Sequence, residues 1–304
     1  MNTQPGIFAL GTTDHCYLEF DVTTQGQAVV LIAAAADVVG KLSTTAGVNV
    51  VVGIRPSLWQ AVADPAELPR GAHDWQEDLV GPDGFTMPAT QHDLWLWVSG
   101  GDRTAIFDSG RLAIDRLRQV AALGCETTGW LYRHDRDLTG FIDGTENPSL
   151  LEAPEVVATP ADTPGAGSSM VLHQLWRHDT TRWENQPMAA QEKAMGRTKP
   201  DSIELSEEDM PADSHVSRTT LELDGTELDI FRRNVAYGGI TDHGTVFVGF
   251  SQDQWRLDEM LRRMVGITDG IRDALTRYVT ALTGAYYVVP SVDALARFGT
   301  DPDD

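Results

Sequence analysis

The feature that most constrains this chain is a repeated change of hydrophobic period. Stretches that alternate apolar and polar residues, the two-residue period of a strand, are separated by apolar residues spaced as on one face of a helix. In the first half the order is a strand at 16–22 (CYLEFDV), a helix at 27–39 and a strand at 48–54 (VNVVVGI). After a loop of Pro, Gly and acidic residues at 56–91 come a strand at 92–99 (HDLWLWVS), a helix at 106–122 and a strand at 126–134. The order β-α-β-β-α-β is the split pattern of a ferredoxin-like domain, an antiparallel sheet with two helices packed on one face. The second half follows a similar plan, with strands at 169–177, 228–234, 245–251 and 286–289 and helices at 187–195, 257–265 and 268–282. The expected fold class is α+β, two ferredoxin-like domains covering residues 1–150 and 151–304. The boundary is the segment 150–168 (LLEAPEVVATPADTPGAGS), whose Pro, Gly, Ala and Ser content suits a connection.

A chain of 304 residues can enclose a small molecule within its core. Its formal charge of −22 repels phosphate backbones and anionic lipid headgroups, so nucleic acid and membrane surfaces are not expected partners. No apolar run reaches a membrane-spanning length and no basic segment precedes an apolar leader, so a cytoplasmic location is expected. Cys16 and Cys125 are too few for a disulfide framework or a cysteine metal site, and both are expected to be reduced and buried.

Three segments carry residues suited to chemistry. In 138–148 (LTGFIDGTENP), Gly140 and Gly144 flank Asp143 and allow a tight turn. An isolated Asp-Gly pair is most often a plain turn, but Phe141 and Ile142 argue against a freely solvated one. An aspartyl-phosphate nucleophile is excluded, because the position two before Asp143 is Phe141, and the oxygen spacing of a calcium-binding loop is missing. None of the eight histidines forms a compact zinc pattern, and a lone histidine is ordinarily a surface or satisfied core residue. His215 stands apart, because the irregular segment 196–216 delivers it within Ser214-His215-Val216-Ser217-Arg218. In 229–234 (DIFRRN), neighbouring arginines on a strand point to opposite sides, so one can face a cavity and call for an anionic partner while the other lies on a solvated face.

Taken together, Gly-Phe-Ile-Asp-Gly (140–144), Gly196-Arg197-Thr198-Lys199, the Ser214–Arg218 segment and Arg232-Arg233-Asn234 resemble the dye-decolorizing peroxidases, in order and spacing most of all the compact branch often called class B. With 88–94 and 249–266 included, the resemblance covers nearly the whole chain. It implies two ferredoxin-like domains and a b-type haem (iron protoporphyrin IX) held mainly by the second. It further implies a proximal iron ligand at His215, a distal acid at Asp143, a distal arginine at Arg232, a distal amide at Asn234 and a propionate contact at Arg197. Hydrogen peroxide would be the oxidant, and small organic reductants such as dyes and phenols would be oxidised in one-electron steps.

A partner accepting from the other nitrogen of the proximal imidazole is expected, though the sequence does not name it. Carboxylic acids ordinarily titrate near pH ~4, so an acid-shifted activity optimum is expected. A buried haem would call for electron relay through tyrosines or the tryptophans at 75, 95, 97, 130, 176, 183 and 255. Glu146 suits a channel mouth or a cation contact, a solvated turn residue being the plainer reading. Two rival readings stand beside the peroxidase: a haem-handling protein without turnover, and a small-ligand module in which Asp143 and Arg232 form a structural ion pair. A homo-oligomer is expected. Packaging in a protein nanocompartment has no support in the terminal ARFGTDPDD, which lacks an apolar docking peptide.

Overall fold

The computed structural model describes residues 2–24, 26–42, 47–133 and 136–299, so His134 and the acidic end of the tail lie outside the described residues. The first half contains β1 (Asp14–Val22), α1 (Ala28–Leu42), β2 (Val48–Ile54), β3 (Leu94–Gly100), α2 (Arg103–Leu117) and β4 (Ala121–Trp130). The second contains β5 (Ser169–His178), α3 (Met188–Met195), α4 (His215–Thr219), β6 (Phe231–Arg232), β7 (Val235–Gly238), β8 (His243–Ser251), α5 (Gln254–Met264), β9 (Val279–Ala281) and β10 (Ala285–Val289). These strands form one antiparallel sheet in the order β6-β8-β7-β4-β1-β3-β2-β10-β5-β9. A further pairing of β8 with β5 closes it into a barrel-like ring.

Strand alternation divides the side chains between two cores. Tyr17, Val51, Trp95, Trp97, Val171, Leu175, Val248, Phe250 and Tyr287 point into the ring and form one buried cluster. Their neighbours Leu18, Val50, Val52, Leu96 and Val98 point outward and pack with Leu31, Ile32 and Ala35 of α1 and Ala113 and Leu117 of α2. Both faces of β2 and β3 are therefore apolar, which accounts for their nearly unbroken hydrophobic sequences.

Several elements depart from the expected boundaries. The helix expected at 268–282 does not form. Gly266 and Gly270 adopt left-handed backbone at φ +79° and +81°, Asp273 caps a short 3₁₀ turn at Ala274–Arg277, and the β-branched Val279-Thr280 pair with β5 as β9. The helix expected at 106–122 begins at Arg103, where Asp102 accepts from Thr104 N, and ends at Leu117. Ala121 and Ala122 instead begin β4, which ends at Trp130. The strand expected at 228–234 is reduced to Phe231–Arg232. Cys16 is buried, whereas Cys125 is half-buried, and both are free thiols. Among the described residues no helix is long and apolar enough to cross a membrane.

His15, 3% exposed, is locked inside the ring as a neutral ring. Trp97 Nε1 can only donate, so it fixes His15 Nδ1 as an acceptor at 3.0 Å, while Nε2 donates to Thr12 O at 3.2 Å. Burial, with a smaller push from Arg233, lowers the His15 pKa to about 4 from 6.5. As the pH falls below 6.5 the unfolded chain takes up this proton while the folded one does not. The His15 contribution to stability is thus present at neutral pH and lost progressively down to about pH 4, by ~3 kcal/mol in all. Urea unfolding of the native chain and of His15→Gln should show a stability difference that shrinks by that order between pH 7 and pH 4. An unchanged difference would contradict this reading.

Candidate functional site

Outside the ring, the outward faces of β5 and β8 form one side of a cleft of roughly 1380 Å³, open mouth included. Gln174, Trp176 and His178 of β5 and Thr245 and Phe247 of β8 line it, because they alternate with the residues that fill the ring. The turn around Asp143, the start of α4, Met260 and Met264 of α5 and the 3₁₀ turn after Asp273 supply further walls. Asp143, Arg197, His215, Arg232 and Asn234, though spread over 92 positions of the sequence, all line this cleft.

The Asp143 turn is held from several sides. Gly140 and Gly144 sit at φ +88° and +75°, which side-chain-bearing residues adopt at a cost. Arg136 Nη1 donates to Gly140 O at 2.7 Å, Trp183 Nε1 donates to Thr139 O at 2.9 Å, and Phe141 is buried. Asn234 Nδ2 donates to Asp143 Oδ1 at 3.2 Å, while Asn234 Oδ1 accepts from Val248 N at 3.1 Å. The amide therefore ties the carboxylate to β8. A second carboxyl, Asp137, also lines the cleft. Burial, reinforced by the charge of Asp143, pushes its pKa up to about 6, against the opposing hydrogen bond from Thr139.

Arg232 and Arg233 diverge, as strand neighbours must. Arg233 is buried instead of lying on a solvated face: it donates to Ile7 O and Ala9 O at 2.6 Å each and lies 5.0 Å over the Trp97 ring. Arg232 faces the cleft, and its buried Nε has no hydrogen-bond partner among the described residues. No ion pair joins it to Asp143 among the described residues, so the structural ion pair required by the small-ligand reading does not form.

His215 opens α4, whose N-cap Ser214 accepts from Ser217 N through its hydroxyl at 3.2 Å. The His215 Nδ1 donates to Asp273 Oδ2 at 2.7 Å, and the Asp273 side chain is fully buried. That bond leaves the Nε2 lone pair available on a ring that borders the cleft. The other Asp273 oxygen accepts from Leu275 N at 2.8 Å, so the carboxylate orients the imidazole while being oriented itself. Arg197 follows the left-handed Gly196 and donates to Ser202 O at 3.0 Å. It also pairs with Glu146 at 2.8 Å and with Glu204. Glu146 is thus an ion-pair partner as well as a half-exposed turn residue.

Residues 134–294 match the family described as Dyp-type peroxidase, C-terminal, more than half of the chain. The chain belongs to the Dyp-type peroxidase family. It is 36% identical to a dye-decolorizing peroxidase from Brevibacterium linens over 83% of this chain and 68% of that protein. A dye-decolorizing peroxidase from Rhodococcus erythropolis is 34% identical over 85% of this chain and 75% of its own length. Among solved structures, a DypB variant from Rhodococcus jostii RHA1 in complex with heme superposes with a TM-score of 0.84 at 30% identity, covering 93% of this chain and 95% of that one. The dye-decolorizing protein from V. cholerae superposes with a TM-score of 0.86 at 32% identity, covering 97% and 99%.

Three residues that line this Dyp-type peroxidase cleft or hold its lining residues in place were not singled out by sequence reasoning. Asp273 fell inside a stretch with helical spacing, and its bond to His215 spans 58 positions. Asn147 bonds the backbone of Arg232 across 85 positions. Asp137 lies one residue before the polar segment that drew attention, and only burial distinguishes it. Of the tryptophans considered for electron relay, Trp176 borders the cleft, Trp95 and Trp97 lie inside the ring, and Trp255 is half-exposed.

Proposed function

We propose that this chain is a haem peroxidase that uses hydrogen peroxide to oxidise small organic reductants such as phenols and dyes by one-electron steps. In this reading His215 would hold the haem iron, and Asp143, Arg232 and Asn234 would act on peroxide. The observation that carries it is the joint presence in one cleft of a histidine bonded to the fully buried Asp273 and an arginine whose buried Nε lacks a partner among the described residues. The first leaves an imidazole lone pair for a metal, and the second awaits an anionic group, so the donor set fits haem and peroxide.

Haem, held through His215, would supply the redox chemistry by which peroxide is reduced. The work of the protein is then binding, orientation and proton movement. Asp143 takes the proton from one peroxide oxygen and delivers it to the other, which leaves as water. The Arg232 guanidinium stabilises the negative charge that develops as the oxygen–oxygen bond lengthens. Asn234 holds one Asp143 oxygen in a fixed place, so the other is the one free to carry the proton. Arg197 suits a propionate contact and is already held rigidly by Glu146 and Ser202.

We read the ring as two ferredoxin-like halves, 1–150 and 151–304. Supporting this are the strand order β4-β1-β3-β2 in one half and β7-β8-β5-β10 in the other. The proposed ligand and the distal arginine and amide then belong to the second half, and the Asp143 turn belongs to the first.

Replacing Asp273 by asparagine preserves the shape and the cap on Leu275 N but removes the carboxylate charge that faces His215 Nδ1. Asp273→Asn is expected to lower haem affinity or peroxide reactivity by about 10–100-fold with little change in thermal stability. Peroxide-dependent oxidation of a phenol by the haem-loaded protein tests the function itself. Turnover in the native protein that weakens in Asp273→Asn supports the reading, and a haem-loaded protein without turnover overturns it.

A further inference from the structure

Arg232 sits on a two-residue strand at the edge of the sheet, paired with β8 through Phe231↔Phe250 and Arg232↔Gly249. In an antiparallel pair the backbone groups of successive residues alternate sides. Arg233 N donates to Val248 O at 2.8 Å, so the N–H and C=O of Arg232 face away from β8. Such groups on an edge ordinarily go to water or to another strand. Here both are met by one side chain: Arg232 N donates to Asn147 Oδ1 at 2.8 Å, and Asn147 Nδ2 donates to Arg232 O at 2.8 Å. A primary amide presents its acceptor and donor much as a neighbouring peptide strand does, so Asn147 takes the place of a missing strand.

Two further observations give this contact a consequence for the cleft. The buried Nε of Arg232 has no partner among the described residues, so the guanidinium depends on its main chain for much of its placement. Asn147 is also part of the Asp143 turn: its N–H donates to Gly144 O at 3.0 Å. A Cβ on Gly144 would stand 3.1 Å from its Nδ2. Asn147 therefore joins the strand carrying the arginine, through its side-chain amide, to the turn carrying the acid, through its own N–H.

We propose that Asn147 is a positioning residue that locks the main chain of Arg232 to the Asp143 turn, so that cation and carboxylate meet the same peroxide molecule. The proposal rests on the peroxidase reading of Asp143 and Arg232. It differs from a stabilising role in what it predicts: the peroxide step should suffer while reduction by a phenol and haem binding do not.

The test compares Asn147→Ala and the isosteric Asn147→Asp with the native protein and with Arg232→Leu, all haem-loaded. The Asp variant keeps an acceptor for Arg232 N but sets a second oxygen against Arg232 O. Both Asn147 variants are expected to slow the peroxide step by about 10–100-fold, with the phenol step and haem affinity unchanged. Hydrogen exchange on the peptide containing Arg232 should rise in the same variants without haem. If Arg232→Leu is slow but both Asn147 variants react at the native rate, the positioning role is overturned and the peroxidase reading stands. If every step, haem affinity and thermal stability fall together in both Asn147 variants, Asn147 is merely structural and the proposal is again overturned. A native peroxide rate in Arg232→Leu would instead bring down the underlying reading.

Discussion

Arg232→Leu is expected to slow the reaction with hydrogen peroxide by about 10²–10³-fold, the range seen when a preorganised donor to a developing anion is removed. The loss should be at least as large as that in Asp143→Ala. A carboxylate that only shuttles a proton can be replaced in part by water, because the proton has other routes. Neither Arg233 nor Arg197 stands ready to supply the charge of Arg232: Arg233 is turned into the ring and Arg197 is occupied by Glu146, Glu204 and Ser202. Leucine fills much of the volume of the arginine stem, so the variant removes charge without leaving a large void. Stopped-flow mixing of the haem-loaded variants with peroxide gives the two rates directly. A larger loss in Asp143→Ala would reject this division of labour and make proton transfer the dominant contribution.

His215→Ala is expected to lower haem affinity by more than about 100-fold, since loss of a partner one shell further out already costs about 10–100-fold. The bond from His215 to Asp273 gives a second consequence. Asp273 is fully buried, and without the imidazole one of its oxygens loses its partner. Burial of an unpaired carboxylate is costly, so the apo form of His215→Ala should be less stable than the native apo protein. The double variant His215→Ala/Asp273→Asn should recover part of that stability without recovering haem. Haem titration and thermal unfolding of the apo proteins separate the two effects. Equal haem affinity in His215→Ala and the native chain would remove His215 from the site.

The sequence made some of this visible, and the reasons differ by element. The strand at 48–54 was legible because a run of valines buried on both faces has few alternatives. The helix expected at 268–282 failed because its apolar spacing concealed the left-handed Gly270 and a capping aspartate whose carboxylate belongs to His215. The closed ring was not legible, because the β5–β8 and β2–β10 contacts join segments far apart in sequence, as in Val288↔Ile54. In the site, Asp143, Arg197, His215, Arg232 and Asn234 stood out through the order of their motifs, not through any local pattern of charge or hydrophobicity. Asp273 and Asn147 escaped notice because an acid and an amide acquire meaning only through partners 58 and 85 positions away.

The central claim, that this cleft binds haem through His215 and presents it to peroxide, is tested most directly by the absorption spectrum of the haem-reconstituted protein before and after one equivalent of hydrogen peroxide. The account predicts a stoichiometric haem complex whose Soret band shifts on peroxide addition and returns when a phenol is supplied. A protein that binds no haem specifically, or a haem complex whose spectrum peroxide leaves unchanged, would contradict it.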